Sequence, residues 1–507
     1  MISVLADLLA DGLRVEAQHP WPRVIVTPET WNGAAEGLAN GRLTLLGLWS
    51  DSAAVHMALL NETPFDLAVM TLENAAGGYR SIGAVHGPAI RLERAIYDIY
   101  GLEPLGLLDK RAWLDHGRWG VRHPLGTRVD EQSDSTQYDF LLAEGEGVHQ
   151  IAVGPVHAGI IEPGHFRFSV NGETVVRLEQ RLGYVHKGIE SLMIDAPIGR
   201  AAQLAGRASG DSTVAYALAF AQAVEAALDI KVPPRGLYLR ALMAELERLA
   251  NHFGDFGAVC NDASFSMMLA ECGILREQIL RISDAVFGHR LMMDRILPGG
   301  VAVEVDSNGL NRIGDLLIDL RTRFPKLVDL YDNTASLQDR TVTAGIVKPE
   351  LARRFGAGGF VGRASGRSFD ARQSVGYPPY GQLKFEVPVL EEGDVNARVW
   401  IRIREIEQSL ALIEQVLERL PDGPTSTDLD TCHLTETREG LSLVEGFRGD
   451  ILVWVRLDTA GRIARCHLRD PSWFQWPLLE AAIEGNIVAD FPLCNKSFNC
   501  SYSGHDL

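Results

Sequence analysis

Three short motifs carry residue types that could move protons. They are Gly154-Pro-Val-His157, Glu162-Pro-Gly-His165 and His186-Lys-Gly-Ile-Glu190. Imidazole and carboxyl groups titrate near working pH when they are partly buried, so these side chains could relay protons beside a substrate. The alternative is that they are satisfied polar groups that hold loops in place. The spacing alone leaves both interpretations open.

A second candidate lies near the end of the sequence, where Cys494 and Cys500 are followed by His505. Thiolates and imidazole are common metal ligands, but the C-x5-C spacing matches no common metal site. The alternative is a pair of free thiols. The sequence has no phosphate-binding P-loop, no G-x-S-x-G and no H-E-x-x-H motif. Residues 356–362 are glycine-rich but depart from the dinucleotide fingerprint, and we predict a flexible loop there.

Composition narrows the functional class. The chain has 507 residues, 46% hydrophobic and 22% charged, which is typical of a folded protein of several domains. Its net charge of −18 disfavours nucleic-acid binding and direct adhesion to an anionic membrane. No apolar run is long enough to span a bilayer, and the first residues lack the features of a signal peptide. Six cysteines without a C-x-x-C pair predict neither a disulfide framework nor a zinc site, so we expect a cytoplasmic protein.

The elements that must position these residues fall into two regions. Residues 1–125 read as a small α/β domain, with a helix at Ile90–Tyr100 that Gly101 can cap. Residues 126–150 are expected to form a linker, and residues 151–507 a larger domain. Short hydrophobic runs bounded by turn residues predict the strands of the first domain at 23–27, 43–49, 55–60 and 67–72.

The larger domain begins with a predicted hairpin and then becomes helical. Asn171-Gly172 separates the alternating runs 165–170 and 174–178, which is a strong hairpin signal. Helical periodicity indicates mutually packed helices, with strands returning near the end. The predicted helices are 212–228, 236–258, 267–287, 308–333, 395–420 and 477–484, and the predicted strands are 450–457 and 462–468. The expected fold class is α+β, a mainly helical bundle with small sheets after an α/β domain.

Several motifs, in order, carry a family resemblance. They are Val153-Gly-Pro-Val-His-Ala-Gly-Ile-Ile-Glu-Pro-Gly-His165, Gly183-Tyr-Val-His-Lys-Gly-Ile-Glu190, Glu245-Leu-Glu-Arg-Leu-Ala-Asn-His252, Leu383-Lys-Phe-Glu-Val-Pro-Val389 and Asp490-Phe-Pro-Leu493. Through them residues 151–507 resemble the large subunit of membrane-bound nickel–iron hydrogenases of the formate-hydrogenlyase type, and the 49-kDa subunit of respiratory complex I. Residues 1–125 resemble the 30-kDa subunit of complex I, chiefly through Ile90–Tyr100 and Gly106-Leu-Leu-Asp-Lys-Arg-Ala-Trp113. This fused order is typical of the formate-hydrogenlyase large subunit.

The sequence departs from the hydrogenases at the metal ligands. In that family an early R-x-C-G-x-C and a late D-P-C-x-x-C supply four thiolates, whereas Ser209, Ser212, Ser501 and Gly504 stand at the matching positions here. A serine hydroxyl stays protonated near neutral pH and is a hard ligand, and glycine supplies none. Cys500 falls one position too early. We therefore expect no nickel–iron centre and no metal bound by this chain.

Other positions of the family's pocket hold side chains that can transfer protons or bind a charged or polar group. By resemblance, Glu162 matches the carboxylate that hands protons to the hydrogenase metal centre, and Arg448 matches the arginine over it. His165 matches the histidine that holds the quinone headgroup in complex I, while the corresponding tyrosine position holds Arg207. The resemblance thus implies catalytic roles for Glu162, His165, Arg207 and Arg448. It implies cofactor binding by His157, His165, His186 and Arg207.

Three functions are compatible with these residues and with the resemblance. The first is a subunit that couples electron transfer from a neighbouring iron–sulfur subunit, to a quinone or another small acceptor, to ion movement by membrane subunits. The second is a non-catalytic subunit that docks the iron–sulfur subunit to the membrane arm. The third is a true hydrogenase with unusual ligands, among them Cys494 and Cys500.

The resemblance also implies a set of partner subunits. The expected partners are a small iron–sulfur subunit, a ferredoxin-like subunit and antiporter-like membrane subunits, as in energy-converting hydrogenase-related complexes. Because no four cysteines are grouped, we expect the iron–sulfur cluster in a partner and not in this chain. The expected location is the cytoplasmic face of the inner membrane, held there by the partner subunits.

Overall fold

A five-stranded sheet organises the N-terminal region of the computed structural model, which describes residues 4–73, 75–127, 130–131, 138–155, 162–429 and 434–507. Its strand order is β1-β3-β6-β5-β4, and only the β3–β6 pair is parallel. The four predicted strands are confirmed as β3 to β6, and the left-handed backbone of Gly101 (φ 73°) ends α3 as expected. The elements of this region are α1 (Val4–Leu9), β1 (Leu13–Val15), β2 (Gln18–His19), β3 (Arg23–Ile25), α2 (Pro28–Ala39), β4 (Thr44–Ser50), β5 (Ala54–Glu62), β6 (Phe65–Glu73), β7 (Tyr79–Arg80), α3 (Ile90–Tyr100) and β8 (Pro104–Leu105).

A three-stranded sheet and a set of long helices follow. The predicted hairpin is confirmed as β12–β13, with Gly172 in the left-handed region at the turn. The 29-residue helix α7 is buried along most of its length and packs on α8 and α14. The elements from residue 121 to residue 374 are β9 (Val121–Arg122), β10 (Asp130–Glu131), β11 (Val148–Val153), β12 (His165–Asn171), β13 (Thr174–Arg181), α4 (Ile189–Met193), α5 (Ile198–Ala205), α6 (Thr213–Leu228), α7 (Pro234–Asp262), α8 (Ser266–Phe287), β14 (Ile296–Leu297), β15 (Gly300–Val301), α9 (Ser307–Asp332), α10 (Ala335–Thr341), α11 (Pro349–Arg354), α12 (Gly359–Arg363) and α13 (Ala371–Ser374).

A second mixed sheet, of four strands, joins the N-terminal region to the larger region that follows it. The strand order is β18-β17-β16-β2, so the short strand β2 from the N-terminal region pairs in parallel with β16. Arg23 reinforces this seam with a buried bidentate ion pair to Glu439, 2.7 Å at its closest. The division into residues 1–125, 126–150 and 151–507 stays a prediction. The last elements are α14 (Val395–Arg419), β16 (Arg438–Gly446), β17 (Gly449–Leu457), β18 (Ile463–Arg469), α15 (Ser472–Ile483) and α16 (Phe491–Phe498).

The prediction of a flexible loop at residues 356–362 is wrong. The segment is buried and enters helix α12. Its glycines allow close contact: a Cβ on Gly358 would lie 2.2 Å from Asp450 Oδ1, and one on Gly359 would lie 2.1 Å from the carbonyl oxygen of Arg448. Only glycine lets this backbone touch the β16–β17 turn. The glycine-rich segment is therefore closely packed against the backbone of Arg448.

Candidate functional site

The four positions that the resemblance assigns to the hydrogenase ligands meet in space, although almost 300 residues of chain separate the first two from the last two. Ser209 and Ser212 precede helix α6, whereas Ser501 and Gly504 follow helix α16. The hydroxyl oxygens of Ser209 and Ser501 are 2.9 Å apart, and the amide of Gly504 donates to Ser501 Oγ at 2.9 Å. We call these four residues the serine cluster. Their convergence supports the sequence register on which the comparison with the hydrogenases rests.

An ion pair closes the serine cluster. The guanidinium of Arg448, at the β16–β17 turn, donates to both carboxylate oxygens of Asp211 at 2.8 and 2.6 Å, and to Ser212 Oγ at 3.2 Å. Ser209 Oγ also donates to Asp211, at 2.8 Å. Burial raises the pKa of Asp211, but the charge and hydrogen bonds of Arg448 outweigh it and hold that pKa below its usual range. Arg448 is 5% exposed and the Asp211 side chain 37%, so the carboxylate caps a buried cation at an open face.

Gly504 has no room for a side chain. A Cβ built on it would lie 2.5 Å from Asp470 Oδ2 and 2.9 Å from Ser501 Oγ. Asp470 cannot easily retreat, because it accepts hydrogen bonds from the Tyr216 hydroxyl at 2.6 Å and from the Ser472 amide at 2.8 Å. The carboxylate of Asp470 therefore occupies the space that a fourth ligand's side chain would need.

Lys187 ties the two halves of the serine cluster together. Its ammonium donates to the carbonyl oxygens of Ala208 and Ser503, both at 2.9 Å. Burial lowers its pKa. Lys187 stands in the quoted motif Gly183-Tyr-Val-His-Lys-Gly-Ile-Glu190, but nothing in that motif favours it over the neighbouring histidine. Its role depends on contacts with residues far along the chain.

The Glu162–His165 segment packs beside the same cluster. A Cβ on Gly164 would lie 2.9 Å from the ring of Tyr502, the residue after Ser501. Glu162 is half-buried and close enough to Lys187 for its charge to raise the pKa of that ammonium. His165 opens strand β12, is 9% exposed and stacks on Phe140 at 4.7 Å between ring centroids. The predicted residue His157 lies outside the described residues.

One ring nitrogen of His165 finds no hydrogen-bond partner among the described residues. Burial, followed by the nearby charge of Arg167, lowers its pKa, so the imidazole is neutral at pH 7. Within the described part of the chain its buried Nε2 has no hydrogen-bond partner. A buried polar atom without a partner costs free energy unless a ligand, a water or another subunit satisfies it.

In the described part of the chain, the side chains of Arg207 and His186 form their hydrogen bonds and ring contacts with residues outside the serine cluster. The guanidinium of Arg207 forms a bidentate pair with Asp294, and both side chains are about one-third exposed. His186 packs against Trp119 and its Nδ1 lies 3.2 Å from the backbone oxygen of Asp506. It lines a separate, mainly apolar cavity of about 70 Å³ between helix α3 and strand β18.

Comparison with known proteins places the chain in a family. Residues 263–439 match the model of the respiratory-chain NADH dehydrogenase 49-kDa subunit. Formate hydrogenlyase subunit 5 of Escherichia coli is 31% identical over 425 residues, which cover 82% of this chain and 74% of that protein. A component of the NADH-quinone oxidoreductase of Desulfotalea psychrophila is 32% identical over 354 residues, covering 69% and 95%. The chain belongs to the complex I 49-kDa and hydrogenase large-subunit family.

A fused protein is also among the chain's relatives. The fused C/D protein of the NADH-quinone oxidoreductase of Phocaeicola vulgatus is 28% identical over 385 residues, covering 72% of this chain and 74% of that protein. The chain thus fits the fused type, in which a 30-kDa-like part precedes the 49-kDa-like part, and its fold is α+β as predicted. In the described part of the chain no helix has the length and apolar character needed to cross a bilayer.

The residues at the family's metal position do not fit a nickel–iron centre. Such a centre needs soft anionic sulfur, and the serine cluster offers three hydroxyls and a glycine whose side-chain space is filled. Cys500 and Cys494 lie nearby in the sequence, but burial raises the pKa of both thiols, that of Cys494 to about 11. Both therefore stay protonated at neutral pH. Across the described residues, no three histidine, cysteine or acidic side chains group as a metal site.

Proposed function

We propose that this chain is a subunit of a membrane-associated oxidoreductase of the complex I and hydrogenase type that has lost the nickel–iron centre. In this proposal it accepts electrons from an iron–sulfur cluster of a neighbouring small subunit and delivers them to a quinone or another small acceptor. Protonation changes that accompany the transfer would drive ion movement by membrane subunits. Residues 1–125 would act as the 30-kDa-like domain, residues 126–150 as the linker, and residues 151–507 as the 49-kDa-like domain.

The free Nε2 of His165 carries the proposal. It is a buried polar atom without a partner in the described part of the chain, on the segment that packs against the serine cluster. A quinone oxygen is a ligand that an imidazole nitrogen can hold, and a neutral imidazole beside it can accept or donate a proton. Glu162, half-buried near Lys187, is a second group that can carry a proton at the same edge.

The open side of the serine cluster is the proposed docking face for the iron–sulfur subunit. Asp211 keeps 37% of its side-chain surface although its partner Arg448 is nearly buried. The pair of Arg207 and Asp294 is exposed to a similar degree. Charged side chains at the rim of a buried cluster suit a polar interface with another subunit. A ferredoxin-like subunit and antiporter-like membrane subunits would complete the complex at the cytoplasmic face of the inner membrane.

A second candidate is a subunit that only docks its neighbours. One observation favours it: the hydroxyls of Ser209 and Ser501, the carboxylate of Asp211 and the guanidinium of Arg448 satisfy one another without a ligand. On that interpretation the former metal pocket is a packed core. The two candidates differ in whether His165 and Glu162 are needed for turnover.

The test is quinone reduction by the complex purified with its native partners, after its iron–sulfur clusters have been reduced. We expect His165→Gln to raise the KM for a short-chain quinone at least tenfold, and Glu162→Gln to lower kcat. The matched control is His149→Gln, because His149 lies exposed in the same sheet. Unchanged kinetics in both variants, with an active parent complex, would favour the docking role. A parent complex with reducible clusters and no acceptor turnover would overturn the electron-transfer proposal.

A further inference from the structure

Behind Arg448 lies a cluster of charged side chains buried in the core of the larger region. Each is at most 2% exposed, and they come from helices α7, α12, α13 and α14 and strand β16, or from the turn that precedes α13. We call it the core ionic cluster. Its members are Glu245, Arg248, Arg363, Asp370, Arg372, Glu405 and Glu445.

Arg363 is the hub of the core ionic cluster. Its guanidinium donates to Glu405 and to Glu445, both at 2.8 Å, and lies 3.4 Å from Asp370. Glu405 also accepts from His252 at 2.7 Å. Three carboxyl groups therefore share one guanidinium, and a single positive charge cannot balance them all.

Arg372 and Arg248 supply the remaining positive charges. Arg372 pairs with Asp370 at 2.7 Å and with Glu245 at 3.0 Å. Arg248 lies 3.4 Å from Glu245 and 3.6 Å from Glu405, and it donates to the backbone oxygen of Glu445 at 2.9 Å. These contacts link all seven side chains into one network.

The core ionic cluster holds four carboxyl groups and three guanidiniums. Burial lowers the pKa of the adjoining His252, so that ring does not add a positive charge. Four nearby carboxylates are each paired with an arginine, namely Asp450 with Arg469, Asp255 with Arg402, Asp211 with Arg448 and Glu225 with Arg240. The buried guanidinium of Arg398, on helix α14, donates to Ser497 Oγ and to the backbone oxygens of Gly345 and Gly393. Tyr216 of the packed helix α6 donates to Asp470. An unpaired charge in a dry core is strongly disfavoured, so the surplus carboxylate must bind a proton.

We propose that the core ionic cluster is a proton-binding site that keeps one exchangeable proton, on Glu445, and answers charge changes at the serine cluster. Among the four carboxyl groups of the core ionic cluster, Glu445 is the one whose negative charge is least stabilised by its neighbours. Its two oxygens accept one hydrogen bond each, from Arg363 at 2.8 Å and from the Ala371 amide at 2.9 Å. Burial first, and then the carboxylates of Asp370 and Asp450, raise the pKa of Glu445 to about 7 in spite of Arg363.

The β16–β17 hairpin connects this proton to the candidate site. Glu445 and Asp450 are opposite each other on the two strands, and Arg448 lies in the turn between them. A negative charge that arrives beside the Arg448–Asp211 pair raises the proton affinity of Glu445 through a low-dielectric core. The proton comes from a hydronium ion of the solvent, whose O–H bond breaks as the O–H bond at Glu445 forms, and no electron is transferred in this step. This coupling rests on the proposed function, whereas the proton site itself does not.

Infrared spectroscopy of the purified complex tests both parts. In a pH titration we expect protonated-carboxyl C=O absorption that fades as the pH rises through about 7, and we expect the part contributed by Glu445 to be missing from Glu445→Gln. Burial also raises the pKa of Glu93 to about 7 and that of Glu247 to about 8, so their absorption is expected in both proteins. The matched control is Glu225→Gln, because Glu225 is a buried carboxylate fully paired with Arg240. Should Glu445→Gln fail to fold, Glu445→Asp serves instead, and the band is expected at a shifted frequency.

The outcomes separate this inference from the proposed function. The proton site is overturned if the substitutions at Glu445 leave the whole titrating absorption unchanged, or if there is no such absorption near neutral pH. Reduction of the neighbouring iron–sulfur cluster is expected to increase the intensity of the Glu445 band at constant pH. An intensity that does not change on reduction would overturn the coupling. An intact titration in a complex that reduces no quinone would refute the quinone proposal while leaving the proton site established.

Discussion

The packing around Gly504 makes a sharp prediction for the substitution Gly504→Ala. The added methyl group would lie 2.5 Å from Asp470 Oδ2 and 2.9 Å from Ser501 Oγ. Both distances are far shorter than normal contacts, so Asp470 or the 501–504 turn must move. The backbone of Gly504 is outside the left-handed region, and the expected cost therefore comes from contact alone and not from backbone strain.

The magnitude follows from what holds Asp470. Overpacking a well-packed interior costs about 1–3 kcal/mol. Asp470 can make room only by weakening its bonds to the Tyr216 hydroxyl and the Ser472 amide, and each hydrogen bond to a charged group contributes about 1.5–3 kcal/mol. We expect Gly504→Ala to lower the free energy of unfolding by about 2–3 kcal/mol. Gly210→Ala is the matched control, because a Cβ there meets nothing within 4 Å.

Two measurements check this prediction. Urea unfolding should give a lower midpoint for Gly504→Ala with an unchanged slope, and a midpoint for Gly210→Ala at or slightly above that of the parent chain. Amide hydrogen exchange should accelerate in residues 499–507 of Gly504→Ala alone. Equal stability of the two variants would show that the position tolerates a side chain, and the argument against a fourth ligand would fall.

Three further predictions concern the surroundings of the site. Glu405→Ala should lower the free energy of unfolding by about 3–5 kcal/mol, because it removes the buried carboxylate that accepts hydrogen bonds from Arg363 Nε and from His252. Glu414→Ala, at an exposed ion pair on the same helix, should cost less than about 1 kcal/mol in the same urea assay. Burial raises the pKa of Glu247 from 4.5 to about 8, so the folded chain binds a proton at Glu247 more tightly than the unfolded chain does. The contribution of this protonated carboxyl group to folding stability is therefore complete below about pH 4.5 and is lost as the pH rises through about 8. Urea midpoints across this range should fall less steeply in Glu247→Gln, and equal slopes would contradict the assignment. Lys187→Met should remove two hydrogen bonds that join the halves of the serine cluster and speed amide exchange in residues 499–507, while unaltered exchange would argue against that bridge.

Local patterns in the sequence were sufficient for most of the elements. The hairpin at Asn171-Gly172 and the helix ending at Gly101 follow from turn and cap chemistry that a few neighbouring residues decide. Strand β16 was not predicted, because its nine residues are almost entirely buried and its partners are β17 and the distant β2. The glycines at 356–362 suggested flexibility, since the sequence alone does not reveal a neighbouring backbone about 2 Å from a missing Cβ.

The candidate site was likewise predicted from the sequence only in part. Family resemblance predicted the four ligand positions, and that assignment stays a prediction, although the 2.9 Å contact between Ser209 and Ser501 brings the two segments together. Asp211 and Lys187 were missed, because each owes its position to partners more than 20 residues away in the sequence. The core ionic cluster was invisible for the same reason: charge balance is a property of the packed core and not of any one motif.

The nickel and iron content of the complex, purified through a tag on this subunit from cells grown with nickel, tests the central claim most directly. Three serine hydroxyls and a glycine with a filled side-chain space predict iron from the partner's clusters and no stoichiometric nickel. One nickel per complex would contradict the account, because a metal centre would then be held by ligands that this geometry excludes.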